Sequence, residues 1–215
     1  MVDAEKLHDL FYSKNVIEIK RFLKREIHKD LENFKPNWHP LGFIHCKIAE
    51  NKNNETFRTH IWPSNLKATN PQEHKIHDHL FDIDSIVLNG AIENIEYEFT
   101  ESYESPDFRI IKVNYSPIGP LLYEDNISGK LQKTKSEIIQ SGNLYRVRQK
   151  TLHETSLKSL STSVTLVRTY SPSTYEPRVA IPISSALPPV RPNTPFPLKE
   201  WLAILDESLV TQVSQ

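Results

Sequence analysis

The chain has 215 residues, 38% of them apolar and 25% charged, with a formal net charge of −1 at pH 7. That balance builds one substantial core and offers no stripe of cations for tracking phosphates, so nucleic acid is excluded as an expected partner. A single cysteine, Cys46, excludes an internal disulfide, and no apolar run approaches the ~20 residues of a membrane span.

Met1-Val2-Asp3-Ala4-Glu5 lacks the basic and apolar regions of a secretion signal, so a cytoplasmic location is expected. Residues 3–33 predict helix, because Leu7, Leu10, Phe11, Ile19, Phe22, Leu23 and Ile27 recur near helical spacing among charges. Ser13-Lys14-Asn15 divides two helices, with Ser13 or Asn15 able to cap the second. Pro36 and Pro40 end this part, and from Gly42 the pattern changes to strands. Phe43–Ile48 is the first of them. Thr56–Trp62 alternates clearly: Arg58, His60 and Trp62 share one face, and Phe57, Thr59 and Ile61 the other.

A polar loop then leads to His77-Asp78-His79, followed by Asp82, Asp84, the apolar Ile86-Val87-Leu88 and the turn signal Asn89-Gly90. Ala91–Phe99 and Ile110–Tyr115 read as further strands. The stretch Tyr115–Gly142, with Pro117, Gly119, Pro120 and Gly129, reads as a long excursion. Leu144–Val147 and Val164–Thr169 close the barrel. Prolines crowd the chain from Pro172 to Pro197, which excludes helix and disfavours a central strand. An extended wrap docked by Val179, Ile181, Ile183 and Leu187 is expected there, followed by a helix over Leu198–Thr211.

Two histidines one residue apart on a strand leave the same face, so His77 and His79 can reach one ion, and His153 is the natural third ligand. Neutral imidazole binds first-row divalent metals well, and three of them leave coordination positions open. Asp84 is a candidate fourth ligand or a carboxylate that orients a ligand histidine, and Asp82 competes for the second task. Arg58 is a fork for a substrate carboxylate, with His60 beside it, if their face points inward; the outward face is the alternative.

The histidine pair, the acid after it, Gly90 and the later His153 resemble the two motifs of the cupins, small antiparallel β-barrel proteins, although Arg148 and Lys150 replace the second motif's usual Pro and Gly. Ile76-His77-Asp78-His79, Leu152-His153 after Tyr145-Arg146-Val147, and Ser163–Pro172 ending in Tyr170-Ser171-Pro172 are similar to the cysteine dioxygenase type of thiol dioxygenase, over roughly residues 43–172. Asp84 stands where the animal enzymes of that family carry a cross-linked cysteine.

The resemblance implies a mainly β fold, a cupin-type antiparallel β-barrel (double-stranded β-helix) with flanking N- and C-terminal helices. Its parts would be a helical cover over 1–35, the barrel over 36–172, and a Pro-rich wrap with a terminal helix over 173–215. It further implies ferrous iron on His77, His79 and His153, catalytic assistance from Arg168 and Tyr170, and a small chelating substrate that reacts with dioxygen. Spacing alone equally allows Mn, Ni, Co or Zn. A non-redox metal-dependent isomerase or lyase is the alternative activity, and the expected assembly is a monomer or homodimer.

Overall fold

The computed structural model describes residues 2–210 apart from 69–70, 72, 117–118 and 188–193, with the side chains of 115–120 also undescribed. Two helices open the chain, α1 (Ala4–Ser13) and α2 (Val16–Lys29). Asp3 Oδ1 accepts the Lys6 amide at 3.0 Å and Asn15 Oδ1 the Glu18 amide at 3.2 Å, so each helix starts on a side-chain cap worth about 1 kcal/mol. Lys14, at φ 55°, makes the break between them.

The strands are β1 (Asn37–Trp38), β2 (Ile44–Glu50), β3 (Thr56–Trp62), β4 (Asp82–Asn89), β5 (Ala91–Glu101), β6 (Phe108–Ser116), β7 (Gly119–Gln140), β8 (Leu144–Val147), β9 (Leu152–Leu157), β10 (Ser163–Tyr170), β11 (Arg178–Pro182) and β12 (Thr194–Pro195); helix α3 (Leu198–Ser208) follows. They form a seven-stranded sheet, β12-β1-β2-β3-β10-β4-β8, and a five-stranded sheet, β11-β6-β7-β5-β9. Every pairing is antiparallel.

The sheets face each other across Trp62, Ile83, Val87 and Val167 from the larger and Ile92 and Ile139 from the smaller. The architecture is mainly β: two facing antiparallel sheets, with the helices from both ends of the chain packed on the larger one. The outer face of the larger sheet is apolar too, because Ile44, Phe57, Ile61, Ile86 and Leu166 pack against Leu7, Phe11, Leu23 and Trp201 of the helices. Sheet strands covered on both sides lose the inside/outside alternation of a half-buried strand. Accordingly β4 and β10 are buried along almost their whole length.

Two expectations change here. Tyr115–Gly142 is not a loop: most of it is β7, which pairs with β6 on one side and β5 on the other, so its polar residues are the exposed half of a paired strand. The Pro-rich segment supplies β11 at the rim of the smaller sheet. Val179 and Ile181 dock there, whereas Ile183 and Leu187 are exposed, at 41% and 42%. The tight turn at Asn89-Gly90 is a corner that carries the chain from one sheet to the other. Thr211, the last residue assigned to the terminal helix, lies outside the described residues. No helix among the described residues is long and apolar enough to cross a membrane.

The corner at Gly90 needs glycine. Its φ is +73°, and a Cβ would collide with Ser163 Oγ and approach Ser163 Cα at 3.0 Å. That serine bonds both the amide and the carbonyl of Ala91 at 2.9 Å, so it cannot easily give way. Gly90→Ala should therefore cost more than about 1 kcal/mol, and thermal unfolding should shift down by ~2–4 °C for each kcal/mol lost. An unchanged midpoint would mean that the corner relaxes freely.

Candidate metal centre

The His77 backbone exchanges two hydrogen bonds with His153 of β9, at 3.0 and 2.8 Å, and His77 also bridges to Val179 of β11. Directly opposed residues of an antiparallel pair project to the same face. His79, two residues along, projects there as well. The imidazoles of His77, His79 and His153 consequently offer ligand atoms that all lie within 4.8 Å of one another. His79 Nε2 and His153 Nε2 are 3.1 Å apart.

Two of the rings are oriented from behind. His153 Nδ1 lies 2.9 Å from Asn94 Oδ1, and since that oxygen only accepts, Nδ1 carries the proton and Nε2 keeps its lone pair. His77 Nδ1 lies 2.7 Å from the Lys75 carbonyl, with the same consequence. Thr155 Oγ1 donates to Asn94 Oδ1 at 3.2 Å, which holds the amide in place. Fixing the tautomer through the outer nitrogen is how proteins pre-set imidazole ligands. Asn94 was not singled out from the sequence. It sits on β5, where register with Thr155 on β9 places it behind His153, and only that pairing reveals it.

Burial pushes the His79 and His153 imidazoles well below their ordinary range and lowers His77 as well, the Lys75 carbonyl partly offsetting the last. All three are thus neutral, and neutral nitrogen is what a metal requires. Phe81 stacks on His79 with ring centres 5.2 Å apart. The donor set fits a first-row divalent ion.

Arg58 and His60 point into the barrel interior, on the same face as Trp62, so the inward alternative holds for them. His60 packs against Phe43, with centroids 4.7 Å apart, and Phe43 stacks on His39 at 4.4 Å. Arg58 Nη1 donates to Thr56 Oγ1 at 2.7 Å and to Thr169 Oγ1 at 3.1 Å.

The remaining candidates stand elsewhere. Asp84, Arg168 and Tyr170 share the parity of Ile86 and Leu166, which face the helices, and so lie behind the larger sheet and not at the histidines. Asp84 takes Arg146 at 2.5 and 3.1 Å, and Tyr170 Oη donates to it at 3.3 Å. Arg168 bonds Glu55 and lies over the Tyr170 and Tyr12 rings at 4.0 and 5.2 Å. Asp82 accepts from Arg148 and the Gln149 amide, each at 2.9 Å. Asp84 as a fourth ligand, and Arg168 with Tyr170 as catalytic groups, are therefore corrected. One residue of parity on a strand buried on both faces decides which side a carboxylate serves.

No family model matches this chain, and none of the curated proteins does. Among solved structures it is similar to the hydroxypropylphosphonic acid epoxidase from S. wedmorenis, at 11% identity and a TM-score of 0.38, over 63% of this chain and 55% of that one. It is also similar to KdgF from Halomonas sp., at 12% identity and a TM-score of 0.36, over 66% of this chain and 90% of that one. The DMSP lyase structure of RdDddP and RnDddQII matches at 12% identity and a TM-score of 0.35, over 63% of this chain and 51% of that one. The matched region spans about half of the lyase and epoxidase chains.

The neutral imidazoles inside the barrel make stability depend on pH. Desolvation by burial holds His39 and His60 well below the ordinary value of 6.5, with His45 and Arg58 adding repulsion. In the unfolded chain both residues regain the ordinary value. Between the two values the unfolded state binds more protons, so stability is full above about pH 6.5 and falls as the pH drops below it. The melting temperature of metal-free protein should decline between pH 7.5 and 5.5, and His60→Gln should make that decline shallower. A midpoint that rises on acidification would contradict the neutral interior.

Proposed function

We propose that this chain is a mononuclear metal-dependent cupin enzyme of the oxygenase kind, acting on a small chelating substrate that carries a carboxylate. One observation carries the reading: the only group among the described residues that gathers three metal-ligating side chains is built of imidazoles, His77, His79 and His153, with no carboxylate in it. Such a set leaves the full charge of a divalent ion available to anions. Fe(II), the ion implied by the likeness to thiol dioxygenases, would supply one-electron chemistry toward dioxygen there, and Mn, Ni, Co and Zn suit the same donors.

The chain's own residues supply the rest. Arg58 stays charged at any working pH and faces the same interior, so it is the group for a substrate carboxylate. His60, held neutral by burial, can accept a proton from the substrate or donate a hydrogen bond to it. Phe43 and Trp62 pack against His60, with ring centroids 4.7 and 5.7 Å away.

A second reading gains from the placement of Arg168 and Tyr170 behind the sheet. Without that polar pair near the histidines, the site lacks the relay that the thiol dioxygenase resemblance implies. A non-redox isomerase or lyase, with His60 moving the proton, follows from the same residues.

Protein purified anaerobically and reconstituted with single metals, then offered small carboxylate-bearing chelators with an oxygen electrode, separates the two. Iron-dependent oxygen uptake supports the oxygenase, and turnover without oxygen on Zn or Ni supports the second reading. His153→Ala should lose metal by more than about 100-fold in affinity, beyond the ~10–100-fold typical of outer partners, while Asp84→Asn keeps full occupancy. Metal loss in Asp84→Asn, or retention in His153→Ala, would overturn the assignment.

A further inference from the structure

Asp78, the residue between the two ligand histidines, is not at the metal centre and is not explained by it. It is 1% exposed. Its carboxylate turns to the Pro-rich segment and accepts three hydrogen bonds there: from the Arg178 amide at 2.6 Å, from Arg178 Nε at 2.7 Å and from Tyr175 Oη at 2.9 Å. The backbones join as well. The Asp78 amide donates to the Arg178 carbonyl at 2.9 Å, the Ala180 amide to the Ile76 carbonyl at 2.9 Å, and the Ser173 amide to the Leu80 carbonyl at 2.8 Å.

The histidine segment needs such a hold. Residues 76–80 are not part of a regular strand; their only ladder pairings are the isolated bridges of His77. On one side they meet β9 and Lys150, whose amide donates to the His79 carbonyl at 3.0 Å. On the other they meet residues 173–180. Arg178 spans both, since its Nη2 also donates to the Lys150 carbonyl at 3.1 Å. A buried carboxylate with charge-assisted bonds to one arginine is a geometrically strict anchor, and here it sits one residue from each of two imidazoles.

We propose that Asp78 is a positioning residue for the ion, and that the strap from Ser173 to Pro182 is the clamp through which it acts. The clamp holds His77 and His79 at the spacing their Nε2 atoms need, so docking of the strap and binding of the ion are one linked event. This rests on the reading that the three histidines hold a metal. Linkage is reciprocal: what the strap contributes to ion affinity, the ion returns as protection of the strap.

Co(II) titration of the full chain, followed in the visible absorption spectrum, tests this on wild type, Asp78→Asn and Tyr175→Phe, with His153→Ala as the emptied-site reference. The expected result is one Co(II) per wild-type chain, an affinity about 10–100-fold weaker in Asp78→Asn with altered bands, and a smaller loss in Tyr175→Phe. Circular dichroism should remain that of the folded barrel, and if Asp78→Asn does not fold, Tyr175→Phe decides. Hydrogen exchange at the Asp78 and Ala180 amides should slow when Co(II) is added to wild type. Wild-type affinity and bands in the folded variants, or exchange at the strap indifferent to Co(II), would overturn the clamp while leaving the metal site standing. A wild-type chain that binds no Co(II) would remove the metal reading and the clamp together.

Discussion

The reciprocal backbone pair between His77 and His153 is the constraint on which the site depends. Its two hydrogen bonds, at 3.0 and 2.8 Å, fix two residues 76 positions apart in sequence directly opposite each other. Because opposed residues of an antiparallel pair share a face, the pairing alone brings two imidazoles together, and the alternation of the chain adds His79. The same pairing sets which residues stand behind the rings. His153 belongs to β9, β9 pairs with β5, and β5 carries Asn94. A shift of one residue in either pairing would send the imidazoles to the opposite face and detach Asn94 from His153.

The larger sheet makes the interior possible by being covered on both sides. Its inner face carries Arg58, His60 and Trp62, while its outer face is sealed by the three helices. Charges on that outer face have to be paired. Asp84, at 1% exposure, is enclosed by Arg146, Arg168 and Tyr170, and Glu55 completes the set. Breaking such a cluster by removing one partner is expensive, whereas its net contribution to stability is small. Its role is to let acidic and basic residues occupy strands that are otherwise apolar. The group that His77, His79 and His153 form includes no carboxylate.

Much of this was legible in the residues themselves. Helical spacing in Leu7, Phe11, Phe22 and Leu23 marked the cover, and Asn15 emerged as the cap of the second helix. His77, His79 and His153 could be joined because strand alternation and a motif both pointed to them. On β4 and β10 both faces are buried, so the usual signal that separates inside from outside is lost, and neither the resemblance that implied roles for Arg168 and Tyr170 nor the spacing that offered Asp84 could show that their side of the sheet faces the helices. The long β7 was hidden for the converse reason: its residues are largely polar because most of them face water, and its partners supply the backbone bonds that keep it extended. Asn94 and Asp78 act through residues distant in sequence, and nothing local announces them.

X-ray absorption at the cobalt edge of Co(II)-loaded protein tests the central claim most directly. The account predicts three imidazoles in the coordination shell, from His77, His79 and His153, with no protein carboxylate beside them. Fewer than three imidazoles, or a bound Asp or Glu, would contradict it.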